Sequence, residues 1–126
     1  LELAKQLELT NAKKGETIVE VGTGNGYLTF ALAYKVGKNG RIITYDYQKS
    51  NIDFVNENNK ERLPISTINQ TLDYDFELAD GSVDKVSTIA TLHHYDDRSK
   101  GTGIGGREKA IKEFYRILKK GGKLII

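Results

Sequence analysis

The chain has 126 residues, of which 38% are hydrophobic and 29% charged, and these values predict one globular domain over residues 1–126. Its formal net charge is only +2, so nucleic-acid binding is allowed but not indicated, and the absence of cysteine excludes disulfides, thiolate metal sites and a cysteine nucleophile. The sequence contains no apolar stretch of membrane-spanning length and no signal-peptide layout at its start. We therefore expect a soluble intracellular protein, in the cytoplasm or an organelle matrix, and the sequence does not define its oligomeric state.

The chain begins with a helix and then a strand that ends in glycines. Leucines recur at helical spacing over residues 1–9, which predicts a short helix, and the following loop ends at Gly15. The β-branched run Thr17–Val21 predicts a strand, and a helical pattern of apolar residues begins at Leu28. Between them lie three glycines at alternate positions, Gly22, Gly24 and Gly26. The order is strand, tight turn and helix.

This glycine-rich turn has the chemistry of a site for a nucleotide-like cofactor. Glycines let the backbone approach a ligand closely, and the first amides of the following helix point toward that ligand. The dinucleotide pattern Gly-x-Gly-x-x-Gly needs a third glycine where Tyr27 stands, whereas the third glycine here is Gly26. Glu20, two positions before the first glycine, would repel a pyrophosphate. The turn therefore favours a positively charged cofactor.

A second strand completes a βαβ unit and ends in an acid. The strand is predicted over residues 41–46, and its last residue, Asp46, follows Gly22 by 24 positions. An acid roughly 20 positions after the first glycine meets the ribose hydroxyls in such units, because neighbouring parallel strands end at the same edge of the sheet. Asp46 and its neighbour Tyr47 are candidate ligand residues, and a helix cap is the alternative role for the acid.

Helix and strand patterns alternate through the rest of the chain. A helix is predicted over residues 50–62, with Ser50 or Asn51 as its N-cap and Pro64 marking its end. The other predicted elements are strands over residues 65–68, 83–90 and 123–126 and a helix over residues 107–119, closed by the Lys119–Gly122 segment. This order predicts a Rossmann-like, doubly wound α/β fold, with a mostly parallel sheet and helices on both faces.

The glycine turn and three later stretches resemble a known family. Glu20-x-Gly22-x-Gly24-x-Gly26 resembles motif I of the class I S-adenosylmethionine-dependent methyltransferases. The branch of that family that contains the ubiquinone and menaquinone biosynthesis methyltransferases is similar to this chain over residues 79–84, 92–97 and 113–124. Lys120 stands where this branch usually has a proline.

The first half of the chain has a second resemblance. Residues 22–34 and 40–45 are also similar to protein isoaspartyl and transfer-RNA adenine methyltransferases.

The family's sheet usually has seven strands, and its last two have no counterpart here. Because the chain stops on a predicted strand, we expect the natural protein to continue beyond residue 126.

The resemblance implies S-adenosyl-L-methionine as the cofactor and assigns the residues that hold it. Glu20 is expected to orient the methionine part, Asp46 to accept the ribose hydroxyls, and Leu72 and Asp73 to bind the adenine. The complete set of predicted cofactor-binding residues is Glu20, Gly22, Thr23, Gly24, Gly26, Asp46, Tyr47, Leu72 and Asp73.

The candidate catalytic residues follow the fourth predicted strand, where a parallel sheet places them beside the cofactor. They are His93, His94 and Tyr95. The histidines could take a proton from the acceptor or line its pocket. No metal is expected, because adjacent residues on a strand point to opposite faces and no third ligand is evident.

The methyl acceptor itself is not defined by the sequence. A small molecule is favoured, and the alternatives are an RNA or protein acceptor, or a methyltransferase-like structural subunit without turnover. A nicotinamide oxidoreductase is disfavoured by Tyr27 and Glu20. The glycine-rich stretch 98–107 predicts a surface loop or a substrate lid; it is not a phosphate-binding loop, because Arg107-Glu108 replaces the required Lys-Ser/Thr.

Overall fold

The computed structural model describes residues 2–70, 75–89 and 106–126, with Gly106 and Arg107 described by their backbone alone. These ranges contain four helices and five strands. In chain order they are α1 (Leu3–Thr10), β1 (Thr17–Val21), α2 (Tyr27–Val36), β2 (Arg41–Asp46), α3 (Lys49–Asn58), β3 (Ile65–Asn69), β4 (Val83–Ser87), α4 (Gly106–Ile117) and β5 (Leu118–Ile125). None of these helices is long and apolar enough to cross a membrane.

The five strands form one parallel sheet in the order β3-β2-β1-β4-β5. The chain adds strands to one side of β1 as far as β3 and then crosses to the other side to form β4. This reversal between β1 and β4 is the topological switch point, where ligands of doubly wound sheets bind outside the carboxyl ends of the strands.

Both faces of the sheet are covered by helices. Side chains alternate along each strand, so the strands present apolar residues on both faces, and each face needs a covering layer. Ile18 and Ile42 pack against Leu32 and Val36 of α2 on one face. The opposite face holds the larger cluster, whose members include Val19, Val21, Ile43, Tyr45, Phe76, Val83, Val86, Phe114 and Ile117. The predicted fold class is confirmed.

The structure corrects the predicted boundaries of the third helix. It begins at Lys49 with Gln48 as N-cap, so Ser50 and Asn51 lie in its first turn and neither caps it. The Asn51 amide instead donates to the Asp46 carboxylate at 3.2 Å. The helix ends at Asn58, because the side chain of Asn59 exchanges two hydrogen bonds with the backbone of Leu63 and closes a turn before Pro64.

The junction of α4 and β5 was also predicted wrongly. The helix ends at Ile117, and Leu118 already pairs with Val83 of β4. The next pair joins Lys85 to Lys123, so residues 119–122 form an irregular excursion within β5 instead of a helix end. Gly121 has a φ of 82° there, a conformation that a glycine adopts readily.

Candidate cofactor site

The carboxyl ends of β1, β2 and β4 bring three polar side chains together on the α2 face of the sheet. Glu20 lies opposite Thr44 of β2 on one side and Ser87 of β4 on the other. Beyond them is a cleft of about 290 Å³, between the sheet, α1 and the glycine turn. The cleft is lined by Leu3, Gln6, Glu20, Val21, Gly22, Thr23, Gly24, Asn25, Tyr27, Leu28, Ser87 and Ile89.

The glycine turn is fixed to the neighbouring strand. The backbone N–H groups of Gly22 and Thr23 both donate to the carbonyl oxygen of Tyr45, at 2.8 and 3.2 Å. Gly26 is the N-cap of α2 and has a φ of 83°, and a Cβ atom there would lie 2.9 Å from a methyl carbon of Val55. Glycine at position 26 therefore allows both the left-handed backbone and the close packing of α3.

Glu20 is a buried acid whose hydrogen-bond partners among the described residues are hydroxyl groups. It is 2% exposed, and Oε1 accepts hydrogen bonds from Thr29 and, at 2.8 Å, from Thr44. The hydroxyl of Thr44 is also 2.6 Å from that of Thr23. Burial raises the pKa of Glu20 to about 7, with a contribution from the negative charge of Asp46 and against the effect of the two hydroxyl donors.

Asp46 joins the glycine turn to the start of α3. Its Oδ2 atom accepts the Gly24 N–H at 3.0 Å and the Asn51 side-chain amide at 3.2 Å, and Oδ1 accepts the Gln48 N–H at 2.8 Å. The carboxylate is thus at the same edge as the glycine turn, as the spacing from Gly22 indicates. Its contact with a ribose stays a prediction.

The other predicted site residues divide into three groups. Thr23, with Gly22 and Gly24, lines the cleft, whereas Tyr47 is 38% exposed and is not part of the lining. Five predicted residues lie outside the described part of the chain: Leu72, Asp73, His93, His94 and Tyr95. Within the described ranges, no three His, Asp or Glu side chains are grouped as metal ligands.

Ser87 is a site residue that sequence reasoning missed. It is 1% exposed, lines the cleft and, within the described residues, its Oγ atom has no hydrogen-bond partner. A buried hydroxyl without a partner is costly, so a polar ligand group is a natural contact for it. The sequence does show a small hydroxyl residue at this place on β4. Its relevance to the cleft depends on its pairing with Glu20, which the sequence alone does not define.

Comparison with known proteins assigns the family. A family model described as "Methyltransferase domain" matches residues 19–126. The chain belongs to this family, within the class I S-adenosylmethionine-dependent methyltransferases, as the motif around Gly22–Gly26 predicts. S-adenosylmethionine is the cofactor of this class.

Individual relatives agree with the family. The chain is 29% identical over 126 residues to the "Ubiquinone/menaquinone biosynthesis C-methyltransferase UbiE" of Hydrogenovibrio crunogenus, which covers 95% of this chain and 44% of that protein. It is 59% identical over 34 residues to a "tRNA (adenine(57)-N(1)/adenine(58)-N(1))-methyltransferase TrmI" of Methanocaldococcus jannaschii, a match that covers 27% of this chain and 12% of that protein.

A solved structure agrees as well. A "SAM dependent methyltransferase from Aquifex aeolicus" matches with a TM-score of 0.75 and 25% identity, over 94% of this chain and 58% of that one. The chain spans about half the length of the UbiE relative and of the Aquifex aeolicus protein.

Proposed function

We propose that this chain binds S-adenosyl-L-methionine and that the protein transfers the cofactor's methyl group to an acceptor. The observation that carries the proposal is Glu20, a buried carboxyl group that lines the cleft without a cationic side chain beside it among the described residues. A ligand with a sulfonium and an ammonium group supplies the positive charge that such a site lacks. Because the sulfonium already activates the methyl group, the protein's residues have mainly to bind and orient.

Each residue of the site then has a defined task. The backbone of the turn from Gly22 to Gly26 leaves room for the cofactor, and Glu20 orients its methionine part. Asp46 accepts the ribose hydroxyls from its place beside the turn. Outside the described residues, we keep Leu72 and Asp73 as adenine contacts. His93, His94 and Tyr95 are kept there as the acceptor side of the site, and the cofactor-binding domain is proposed to span residues 1–126.

A small molecule is the acceptor we favour. The support is the likeness to a ubiquinone and menaquinone biosynthesis C-methyltransferase, which extends over 95% of the chain. The likeness to a tRNA adenine methyltransferase is stronger in identity but confined to 34 residues, and it makes RNA the second candidate. A protein acceptor, and a structural subunit without turnover, are the remaining alternatives.

Calorimetric titration tests cofactor binding directly. We expect S-adenosylmethionine and S-adenosylhomocysteine to bind to the chain with micromolar affinity, and NAD not to bind. Asp46→Ala removes a charge-assisted hydrogen bond of roughly 1.5 to 3 kcal/mol, so affinity should fall about ten- to hundredfold. Asp53→Ala is the matched control, because Asp53 is a half-exposed acid on α3 that pairs with Lys49 and does not line the cleft.

The titrations test both the role of Asp46 and cofactor binding by the domain. A folded Asp46→Ala variant with unchanged affinity removes the role assigned to Asp46. No binding of either ligand to the folded wild-type chain contradicts the proposal and supports the structural-subunit alternative.

The acceptor class can be read from the fate of a labelled methyl group. The protein is incubated with methyl-labelled cofactor and a cell extract, and the label is then separated into solvent-extractable molecules, RNA and protein. We expect label in the extractable fraction. Label in RNA or in protein instead replaces the small-molecule acceptor with that alternative.

A further inference from the structure

We propose that the cleft exchanges a proton on Glu20 for the positive charge of its ligand, and that the hydroxyl of Ser87 is a second contact for that ligand. The cofactor site would then be a proton-linked site, with an affinity that depends on pH. This inference rests on the proposed function, since it concerns the same cleft.

The first argument is the charge around Glu20. Among the described residues, the groups that face it are the hydroxyls of Thr29 on α2 and Thr44 on β2, and the charge that acts on it is the negative one of Asp46. From α1 the cleft receives Leu3 and Gln6, which are uncharged. Among the described residues, no Lys, Arg or His lines this cleft. A proton is therefore what neutralises Glu20 when no cation is bound.

The second argument is the arrangement of the polar atoms. Within the described chain, both hydrogen bonds to Glu20 end on Oε1, which leaves Oε2 for a proton or for a ligand. Ser87, the cross-strand neighbour of Glu20, has a buried Oγ atom without a partner in the same part of the chain. An ammonium group has three donor hydrogens, so it can satisfy the carboxylate and the hydroxyl at once.

The pH dependence of the ligand affinity follows from the linkage between ligand binding and release of the Glu20 proton. With a pKa of about 7, Glu20 holds a proton in roughly nine of ten molecules at pH 6 and in about half of them at pH 7. A cation placed against the carboxylate favours its ionised form, so the proton leaves when the ligand binds. Below pH 7 the affinity should therefore rise nearly tenfold for each pH unit, and the rise should flatten above pH 7.

Calorimetry in buffers of different ionisation enthalpy counts the protons. The probe is S-adenosylhomocysteine, whose amino group stays protonated between pH 5.5 and 7. We expect the wild-type chain to release most of one proton per ligand at pH 6 and a smaller fraction at higher pH. Glu20→Gln, which keeps the size and the acceptor oxygen, should release none.

Three further variants assign the contacts. Ser87→Ala should keep the proton release and lower the affinity about tenfold or more, whereas Ser66→Ala, the same change on β3 outside the cleft, should alter neither. The double variant His93→Gln and His94→Gln should release the wild-type number of protons. It is needed because imidazole groups in general titrate near neutral pH, and both histidines lie outside the described residues.

The possible failures are distinguishable. If the ligand does not bind at any pH, the proposed function fails. If the wild-type chain binds it without releasing a proton, or if Glu20→Gln releases as many protons as wild type, the proton exchange is wrong although the cofactor assignment stands. Unchanged affinity in a folded Ser87→Ala variant removes the second contact.

Discussion

Lys85 and Glu20 are two buried ionisable side chains on the same face of the sheet, and they differ in the kind of partner that the structure gives them. Lys85 on β4 is 6% exposed, and its Nζ atom lies 2.9 Å from Oε1 of Glu16 and donates to the carbonyl oxygen of Asn11 at 2.6 Å. Glu20 on β1 is 2% exposed, and the hydrogen bonds it receives from described residues come from two hydroxyl groups. In the part of the chain that the structure describes, Lys85 has a counter-charge and Glu20 has none.

The position along the strands explains the difference. Lys85 lies toward the amino ends of the parallel strands, where Glu16 and the carbonyl group of Asn11 at the end of α1 both reach its ammonium group, although a cleft of about 300 Å³ borders this pair as well. Glu20 lies near the carboxyl ends, where the switch point leaves a cleft. A buried charge that is neutralised internally holds the fold together, whereas one that is left beside a cleft is available for a ligand.

Removing the partner of Lys85 should have the largest effect on stability. In Glu16→Ala the ammonium group stays buried without its counter-charge, and the free energy of unfolding should fall by about 3 to 5 kcal/mol. Urea denaturation measures this change, with Glu8→Ala on the exposed side of α1 as control. A loss no larger than that of the control would show that the pair does not stabilise the fold.

Replacing Glu20 by glutamine should remove a loss of stability that the wild-type chain undergoes as the pH rises. Its folded-state pKa of about 7 lies above 4.5, the ordinary value for a glutamate, so the folded chain binds more protons than the unfolded chain between these pH values. Wild-type stability should therefore fall by about 3 kcal/mol relative to Glu20→Gln as the pH rises from 4.5 to 7, and the difference should level off at higher pH. Denaturation at several pH values measures it; a pH-independent difference would contradict the assignment.

An exposed ion pair should have the smallest effect. The Lys119 ammonium group is 3.2 Å from Oδ1 of Asp84, and the lysine side chain is half exposed. Water screens such a pair, so Lys119→Gln should change the free energy of unfolding by less than about 1 kcal/mol. If the same denaturation experiment gave a loss near that of Glu16→Ala, burial would not be what distinguishes Lys85.

The parts of the fold that depend on nearby residues were predictable. The strand, the glycine turn and α2 follow one another within residues 17–36, and their hydrophobic periods and glycine spacing are local signals. The place of Asp46 beside the glycine turn was also predictable, because parallel strands end at a common edge. These signals led to the family and to the candidate cofactor site.

What was missed depends on pairing between distant strands. The early end of α4 results from the contact of Leu118 with Val83, and helical periodicity within residues 107–119 cannot reveal it. Likewise, Ser87 is a candidate ligand contact because it is the cross-strand neighbour of Glu20, which is 67 positions earlier in the chain. The register of a sheet is set by its whole hydrophobic pattern, so a single strand does not disclose it.

The two hydrogen bonds from the glycine turn to the Tyr45 carbonyl have a consequence for the thermodynamics of binding. They make the turn part of the sheet's hydrogen-bonded framework, so its amides should exchange with solvent only when the framework opens. A ligand that enters the cleft therefore meets a preorganised backbone and has little loop entropy to overcome. Affinity at this site is then governed by charge and contact, which is the condition under which one buried proton can regulate it.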